Sequence, residues 1–295
     1  MESKTILITG GDGFTGKHAF EHFKNQGYRI FATSRTHENL NTYKIDLLKK
    51  RDVETMIKRI QPDYVLHLAG QNDVKASWDD PLYTFEANVL ITLNLLEAIR
   101  KHCPNAKVLV VGSILEEFIN PYGLSKKIQN VISKKWAEFF QLDVVVAKPV
   151  NLIGPGFSKG VCAKFARKIA SSEAANSICQ LHISNLETKR DFLDVRDAVR
   201  AYDLLLQKGE NGKTYDVGTG NWKSLLEIVN AFKQLTPITL VYVDENQPVK
   251  ESKFLANPLP LKLLGWKPQY SLIESLQDCL DFFRKLQKAG EDMGG

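Results

Sequence analysis

The sequence predicts an α/β fold, a doubly wound parallel sheet with a smaller C-terminal lobe. Three observations lead there. Short apolar, β-branched runs alternate with helical spacings from residue 5 to residue 147. The first run ends in a glycine cluster that opens a helix. The alternation loosens after Pro149. Strands that alternate with helices build a parallel sheet covered on both faces.

Thr5–Thr9 reads as a buried strand, Phe14–Gly27 as a helix that stops at its glycine, and Tyr28–Ser34 as the next strand. Val53–Ile60 is a helix and Tyr64–Ala69 a third strand. A long helix over Pro81–Lys101 leads to a fourth strand, Lys107–Gly112. Tyr122–Phe140 is helical and Asp143–Ala147 is a fifth strand. Beyond the Gly154-Pro-Gly156 break, Val161–Ser171 and Asp194–Lys208 are helices. Trp222–Leu235, Val241–Lys267 and Leu272–Leu286 are assigned to the smaller lobe. The larger domain is expected over residues 1–150 with about 193–218, the lobe over 151–192 and 219–287, and a loose tail over 288–295.

The bulk properties narrow the function classes. A 295-residue chain suits one large domain, or a large and a small one. Its net charge of +5 comes without a dense Lys/Arg block, which suits small anions at least as well as nucleic acid. No nucleic-acid partner is expected. Cys103, Cys162, Cys179 and Cys279 are far apart, so neither a zinc site nor a disulfide framework is expected, and reduced thiols fit a cytoplasmic protein. No signal peptide or membrane span is expected from the apolar runs.

The segment Thr9-Gly10-Gly11-Asp12-Gly13-Phe14-Thr15-Gly16 follows a strand and opens a helix. Gly10, Gly13 and Gly16 keep a three-residue step. Such glycines permit a tight turn and let backbone N–H groups approach a pyrophosphate at a helix N-terminus. A dinucleotide site is therefore expected, with a bland tight turn as the alternative. The second strand ends in Thr33-Ser34-Arg35-Thr36, without the carboxylate that would hold a ribose 2′-hydroxyl. Ser34 and Arg35 could bind a 2′-phosphate, so NADP(H) is favoured over NAD. The alternative for Arg35 is a solvated surface charge. Asp46 and Leu47 could flank the adenine.

Tyr122 and Lys126 stand four apart, on one face of a helix. A neighbouring ammonium and a bound nicotinamide would favour phenolate, so Tyr122 could exchange a proton with a carbonyl or hydroxyl. Ser113 could hydrogen-bond the reacting oxygen, Lys126 could also hold the nicotinamide ribose, and Asn88 could steady the site.

Together these pieces resemble an extended short-chain dehydrogenase/reductase, in the branch of nucleotide-sugar epimerases, 4,6-dehydratases and 4-ketoreductases. The matching segments are Thr9–Gly16, His67-Leu68-Ala69-Gly70, Asn88 with Asn94–Ala98, Pro121–Lys126, Asn151–Gly156, Arg190–Asp197 and Gly265–Pro268, spanning about residues 5–285. Asn151–Gly156 and Arg190–Asp197 look most like GDP-mannose dehydratases and GDP-4-keto-6-deoxy-mannose reductases.

The resemblance implies a Rossmann sheet and a catalytic Ser113, Tyr122 and Lys126. Leu68, Ala69, Gly70 and Asn88 would join the cofactor side. It implies a nucleoside-diphosphate sugar (GDP, UDP or dTDP) as substrate. Asn151 would meet a sugar or phosphate oxygen, and Lys159, Val161 and Phe165 would line the nucleotide pocket. Arg190 would pair with the diphosphate, and Gln71, Val74, Ser77 and Ser113 would face the sugar. Simple core packing is the alternative for Val161 and Phe165. A homodimer through a four-helix bundle of Pro81–Lys101 and Tyr122–Phe140 is also implied, unless their apolar faces serve the core alone.

The chain departs from the family pattern in three places. Ser113 and Tyr122 are only nine residues apart, so a segment that normally covers the sugar is missing and an open pocket is expected. Dehydratases carry a carboxylate two positions after the Ser/Thr; here that residue is Leu115, with Glu116 and Glu117 following. The second phosphate-binding arginine expected near Asn246-Gln-Pro248 is absent, and Lys250 or Lys253 could replace it. The lost carboxylate argues against dehydration and the Ser34-Arg35 ending favours an NADPH-consuming 4-ketoreductase. The alternatives are an epimerase or dehydratase that recycles its nicotinamide, and a non-catalytic NADP-binding scaffold.

Overall fold

A computed structural model describes residues 3–115, 119–248 and 255–290. The chain divides into two units. The first comprises Met1–Pro149, Val199–Val217 and Leu259–Trp266; the second comprises Val150–Ala198, Gly218–Pro258 and Lys267–Gly295.

The first unit is built on a seven-stranded parallel sheet in the order β10-β6-β5-β4-β1-β2-β3. Its strands are β1 (Thr5–Thr9), β2 (Arg29–Ser34), β3 (Thr42–Lys44), β4 (Tyr64–His67), β5 (Lys107–Val111), β6 (Val144–Pro149) and β10 (Thr214–Val217). Central β1 pairs Leu7 with Phe31 on one side and with Val65 on the other. Its Ile6, Leu7 and Ile8 are fully buried, as expected of a strand covered on both faces. The strand order reverses between β1 and β4, and ligands of such sheets bind at the carboxyl ends of the strands beside that reversal.

Helices cover both faces. Helix α1 (Phe14–Asn25) lies beside α8 (Val195–Lys208), where His22 Nε2 meets Asp203 Oδ2 at 2.8 Å. On the other face α2 (Lys50–Ile60) packs on α5 (Ile91–His102), and α5 on α6 (Pro121–Phe140). Val53, Ile57, Leu95, Leu96 and Ile99 fill that layer.

The expected Pro81–Lys101 helix is divided. Helix α4 (Pro81–Phe85) passes into a π-helical segment, Glu86–Leu90, before α5 begins. The period of the apolar residues conceals this wide turn, because each side of it is helical. Short α3 (Val74–Asp79) precedes α4, and Asp73 and Asp80 cap the two N-termini. Helix α10 (Leu259–Leu263) packs on β10, with Leu261 fully buried. The sequence had assigned it to the smaller lobe.

The second unit holds a three-stranded sheet in the order β11-β9-β7, formed by β7 (Asn151–Ile153), β9 (Lys189–Asp194) and β11 (Trp222–Ser224). A parallel pair joins β8 (Cys179–Ile183) to β12 (Leu240–Asp244). Helices α7 (Val161–Ala174), α9 (Leu225–Leu235) and α11 (Leu272–Ala289) enclose its core around Ile169, Ile228, Phe232 and Leu280. Ser224 and Ser271 start α9 and α11 with capping boxes. Lys288 and Ala289 belong to α11 rather than to a tail, and Gly290 ends it at φ +67°. All four cysteines are buried and unpaired with one another.

Candidate active site

The glycine turn is shaped by close approach. Gly10 adopts φ +69°, where a side chain is strained. A Cβ at Gly16 would lie 2.2 Å from the Gly10 carbonyl oxygen, so the helix can pack on the turn only through glycine. Helix α1 begins at Gly13 with no side-chain cap. Its first N–H groups and the positive end of its dipole are therefore presented by a glycine cradle, and a pyrophosphate fits there.

At the end of β2, Ser34 braces the loop. Its hydroxyl donates to Asp12 Oδ2 at 2.8 Å and its oxygen accepts the N–H of Thr36 at 3.1 Å. The sequence had offered Ser34 as a phosphate ligand, but the hydroxyl proton is engaged by Asp12. Arg35 is exposed and bonds the Tyr83 hydroxyl through Nη1. His37 Nδ1 lies 3.1 Å from Ser34 Oγ, a neighbour that the motif reading had missed. Asp46 is exposed, and its Oδ1 accepts the Leu48 N–H at 3.0 Å. Leu47 is a core residue, 4% exposed, so only its backbone is placed to flank a bound adenine.

Beyond β4, Leu68 and Ala69 donate their backbone N–H groups to Thr9 Oγ1, both at 3.1 Å. Asn88 sits in the π-helical segment, fully buried. Its Oδ1 accepts the Gln71 N–H at 2.9 Å; its Nδ2 donates to the Gln71 carbonyl at 2.9 Å and to Ser125 Oγ at 2.8 Å. A wide turn that aims an amide into a site is a recurring use of π-helix.

Asn120 caps α6, accepting the Gly123 N–H at 2.7 Å, and Pro121 occupies the first turn. This fixes Tyr122 one residue inside the helix, with Lys126 a turn later. Both side chains are buried. The nine-residue spacing still places Ser113 beside Tyr122: its oxygen accepts the Leu115 N–H at 3.0 Å, and its hydroxyl acts on the phenol's proton affinity. Burial lifts the Tyr122 phenol above its ordinary pKa, and the Ser113 bond offsets part of that rise. The sequence anticipates a phenol pulled down by Lys126 and a bound nicotinamide together. The Lys126 ammonium donates to the Val111 carbonyl at 3.2 Å and to Gln129 Oε1 at 2.9 Å. Burial lowers Lys126 itself to about 8.

Three residues suggested for the sugar side stand apart in chemistry. Gln71 spends its amide on Asp73 and on Thr84 Oγ1. Ser77 is fully buried, and its hydroxyl returns to the Val74 carbonyl at 2.7 Å. It closes a helical turn and offers nothing to a ligand. Val74 is exposed.

In the second unit Asn151 donates to the Asp191 carbonyl at 3.0 Å. A small cleft of about 20 Å³ is lined by Asn151, Gly154, Ser158, Val161, Phe192 and neighbours. Lys159 is exposed beside it in sequence. Phe165 faces the core instead, 6% exposed and edge-on to Phe232, so it is a packing residue. Val161 is partly buried against the same core. Arg190 is half-buried, burial disfavours its charge, and it has no ion pair with a described carboxylate. The aspartates after it are structural. Asp191 holds Thr219 and Gly220, Asp194 clasps Arg196 at 2.9 and 2.8 Å, and Asp197 accepts the Gln269 and Tyr270 N–H groups. Glu116, Glu117, Lys250 and Lys253 lie outside the described residues.

A glycine-cradled helix start and a buried Ser–Tyr–Lys set now stand on one parallel sheet. The model of the NAD dependent epimerase/dehydratase family matches residues 6–218. The chain belongs to that family. It is 29% identical to GDP-6-deoxy-D-mannose reductase of Pseudomonas aeruginosa, over 94% of this chain and 96% of that one. It is 26% identical to UDP-glucose 4-epimerase of Rhizobium leguminosarum bv. trifolii, over 97% and 99%. The structure of RMD from Pseudomonas aeruginosa complexed with NADPH superposes with a TM-score of 0.85 at 27% identity, covering 96% of this chain and 99% of that one.

Proposed function

We propose that this family member reduces the C4 ketone of a nucleoside-diphosphate 4-keto-6-deoxy-hexose with NADPH. The observation that carries this is the buried Tyr122 beside buried Ser113, where burial favours the protonated phenol. A reductase needs an acid there. Bound NADPH supplies the hydride. Ser113 orients the ketone oxygen, and Tyr122 gives its proton to that oxygen as negative charge develops on it. Lys126 spends two N–H groups on Val111 and Gln129 and directs the third to the nicotinamide ribose. The relative named as a GDP-6-deoxy-D-mannose reductase makes the GDP sugar the first substrate to test.

The uncapped start of α1 takes the pyrophosphate, and Arg35 takes the 2′-phosphate as a guanidinium fork. Arg190, half-buried and without a described carboxylate, takes the substrate diphosphate, with Asn151 and Lys159 on the same ligand. Exposed Leu82, Leu90, Val131 and Phe139 on α4, the π-helical segment and α6 support a homodimer through a four-helix bundle. Among the described residues one apolar stretch reaches membrane-spanning length, Pro81–His102, and it is half buried in the protein; buried thiols unpaired with one another suit the cytoplasm.

The test incubates the protein and NADPH with GDP-, UDP- and dTDP-4-keto-6-deoxy sugars and follows nicotinamide absorbance. Oxidation that is lost in Tyr122→Phe supports the reading. Absence of oxidation with every sugar overturns it, and a changed sugar without hydride consumption points to epimerisation.

A further inference from the structure

A chain of buried polar groups runs from Lys126 to the glycine turn through residues that have no role in the reaction described above. Lys126 Nζ donates to Gln129 Oε1 at 2.9 Å. Gln129 Nε2 lies 2.9 Å from Thr92 Oγ1, and His67 Nε2 lies 2.9 Å from the same oxygen. Thr92 Oγ1 lies 2.7 Å from the Asn88 carbonyl. His67 Nδ1 lies 2.8 Å from Thr9 Oγ1, which accepts the Leu68 and Ala69 N–H groups. Thr92, Gln129, His67 and Thr9 are all fully buried, and none of them was singled out from the sequence for chemistry.

The donors and acceptors fit together in one way. Thr9 Oγ1 has both lone pairs taken by backbone N–H groups, so its proton goes to His67 Nδ1. His67 therefore carries its proton on Nε2 and donates to Thr92. A carbonyl can only accept, so Thr92 gives its proton to Asn88 and receives from both His67 and Gln129. That fixes the Gln129 amide with its nitrogen toward Thr92 and its oxygen toward Lys126. The reversed amide would set an NH₂ group against the ammonium and leave Thr92 facing an oxygen without a proton to give it.

The geometry points to Gln129 as a positioning residue for Lys126, its amide orientation dictated by Thr92 and by His67 held as the neutral Nε2–H tautomer. Two acceptors, Gln129 Oε1 and the Val111 carbonyl, hold the ammonium so that its third N–H has one direction left. The same relay ties that ammonium to the loop after β4, because Thr9 anchors Leu68 and Ala69. Burial pushes His67 down to about 3, with the Lys126 charge adding to the effect, so the relay keeps its polarity wherever the protein works. The catalytic value of this arrangement rests on the reductase reading; the arrangement itself does not.

The test begins on the protein alone. Nitrogen NMR of ¹⁵N-histidine protein, with His67 assigned by loss in His67→Asn, should show a bare Nδ1 and a protonated Nε2. This pattern should persist through the range where free histidine titrates. An Nδ1–H tautomer, or charging in that range, overturns the proposal. The Lys126 titration is read from its ¹³Cε resonance, assigned by Lys126→Met. Its midpoint should fall in Gln129→Leu, which loses the acceptor, and rise in Gln129→Glu, which adds a charge. It should fall in Thr92→Val and return in Thr92→Ser. Midpoints that ignore these changes overturn the proposal, whatever the sugar. In turnover with a 4-keto sugar, Gln129→Leu and Thr92→Val should lose roughly tenfold or more in kcat, the scale of a misaimed catalytic group, with KM changing less. If the parent protein reduces no 4-keto sugar, the functional reading fails while the two NMR measurements still decide this one.

Discussion

Asn88 Oδ1 and Gly70 leave no room between them: a Cβ on Gly70 would lie 2.6 Å from that oxygen. The same oxygen holds the Gln71 N–H at 2.9 Å, so the glycine and the amide form one latch at the exit from β4. Gly70→Ala should displace Asn88 and weaken its bond to Ser125 in α6. Overpacking of this kind costs about 1–3 kcal/mol. Urea unfolding should show the loss, and kcat should fall with it; an unchanged midpoint would count against the latch.

Lys126 is buried with its pKa lowered from 10.5 to about 8, so the folded chain binds fewer protons there than the unfolded chain between those values. Stability should therefore rise with pH across that window. The buried charge imposes a cost below pH 8 on the order of 3 kcal/mol. Lys126→Met should abolish turnover and remove this slope. Its stability difference from the parent should shift in the parent's favour between pH 8 and 10, as measured by denaturant midpoints.

His67 follows the opposite end of the scale. Its imidazole is held neutral down to about pH 3 against an ordinary value of 6.5. Below 6.5 the unfolded chain takes up a proton that the folded chain refuses, so stability falls as pH drops from 6.5 toward 3. His67→Asn should be less stable at neutral pH, because it breaks two buried bonds. Its acid slope in that range should be shallower by one proton. Equal slopes would mean that His67 charges in the folded protein.

On the proposed reading, Arg35 sets the preference for NADPH. Arg35→Ala should weaken NADPH binding by roughly tenfold or more, the scale of a lost charged phosphate contact of about 1.5–3 kcal/mol, and leave NADH binding nearly unchanged. Fluorescence titration with both nucleotides reads the difference; equal effects would place the 2′-phosphate elsewhere. Ser34→Ala should act on both nucleotides alike, because its hydroxyl braces Asp12 and the loop backbone.

The Rossmann sheet was legible because its signals are local. Ile6–Ile8 are buried on both sides and therefore uniformly apolar, and Gly10 to Gly16 need their backbone freedom within seven residues. Tyr122 and Lys126 were readable for the same reason, being one helical turn apart. What escaped the sequence depends on distant partners. Ser77 looks like any hydroxyl until its bond to Val74 is seen, and Phe165 like any aromatic until Phe232 meets its edge. Ser34 was assigned by type, and only the approach of Asp12 shows where its proton goes. The strands β8 and β9 are no shorter than β1, but they carry polar residues such as Gln180, His182 and Arg190 in place of an unbroken apolar run, so they do not stand out as buried strands. His67, Thr92 and Gln129 lie far apart in the chain, and no spacing rule connects them.

The π-helical segment Glu86–Leu90 has a consequence for comparing this chain with others. A wide turn holds one residue more than an α turn, and each residue of an α-helix advances the face by about 100°. Everything after it in α5, Thr92 and Leu95 included, is rotated by that step relative to α4. Deleting a single residue from this stretch would let the wide turn close into an ordinary α turn, with Thr92 still facing His67 and Leu95 still in the layer it shares with α2. What would be lost is the outward step that aims Asn88 at Gln71 and Ser125. A one-residue gap here is thus absorbed by the helix itself, and relatives that lack the extra residue should be aligned with the gap inside Glu86–Leu90.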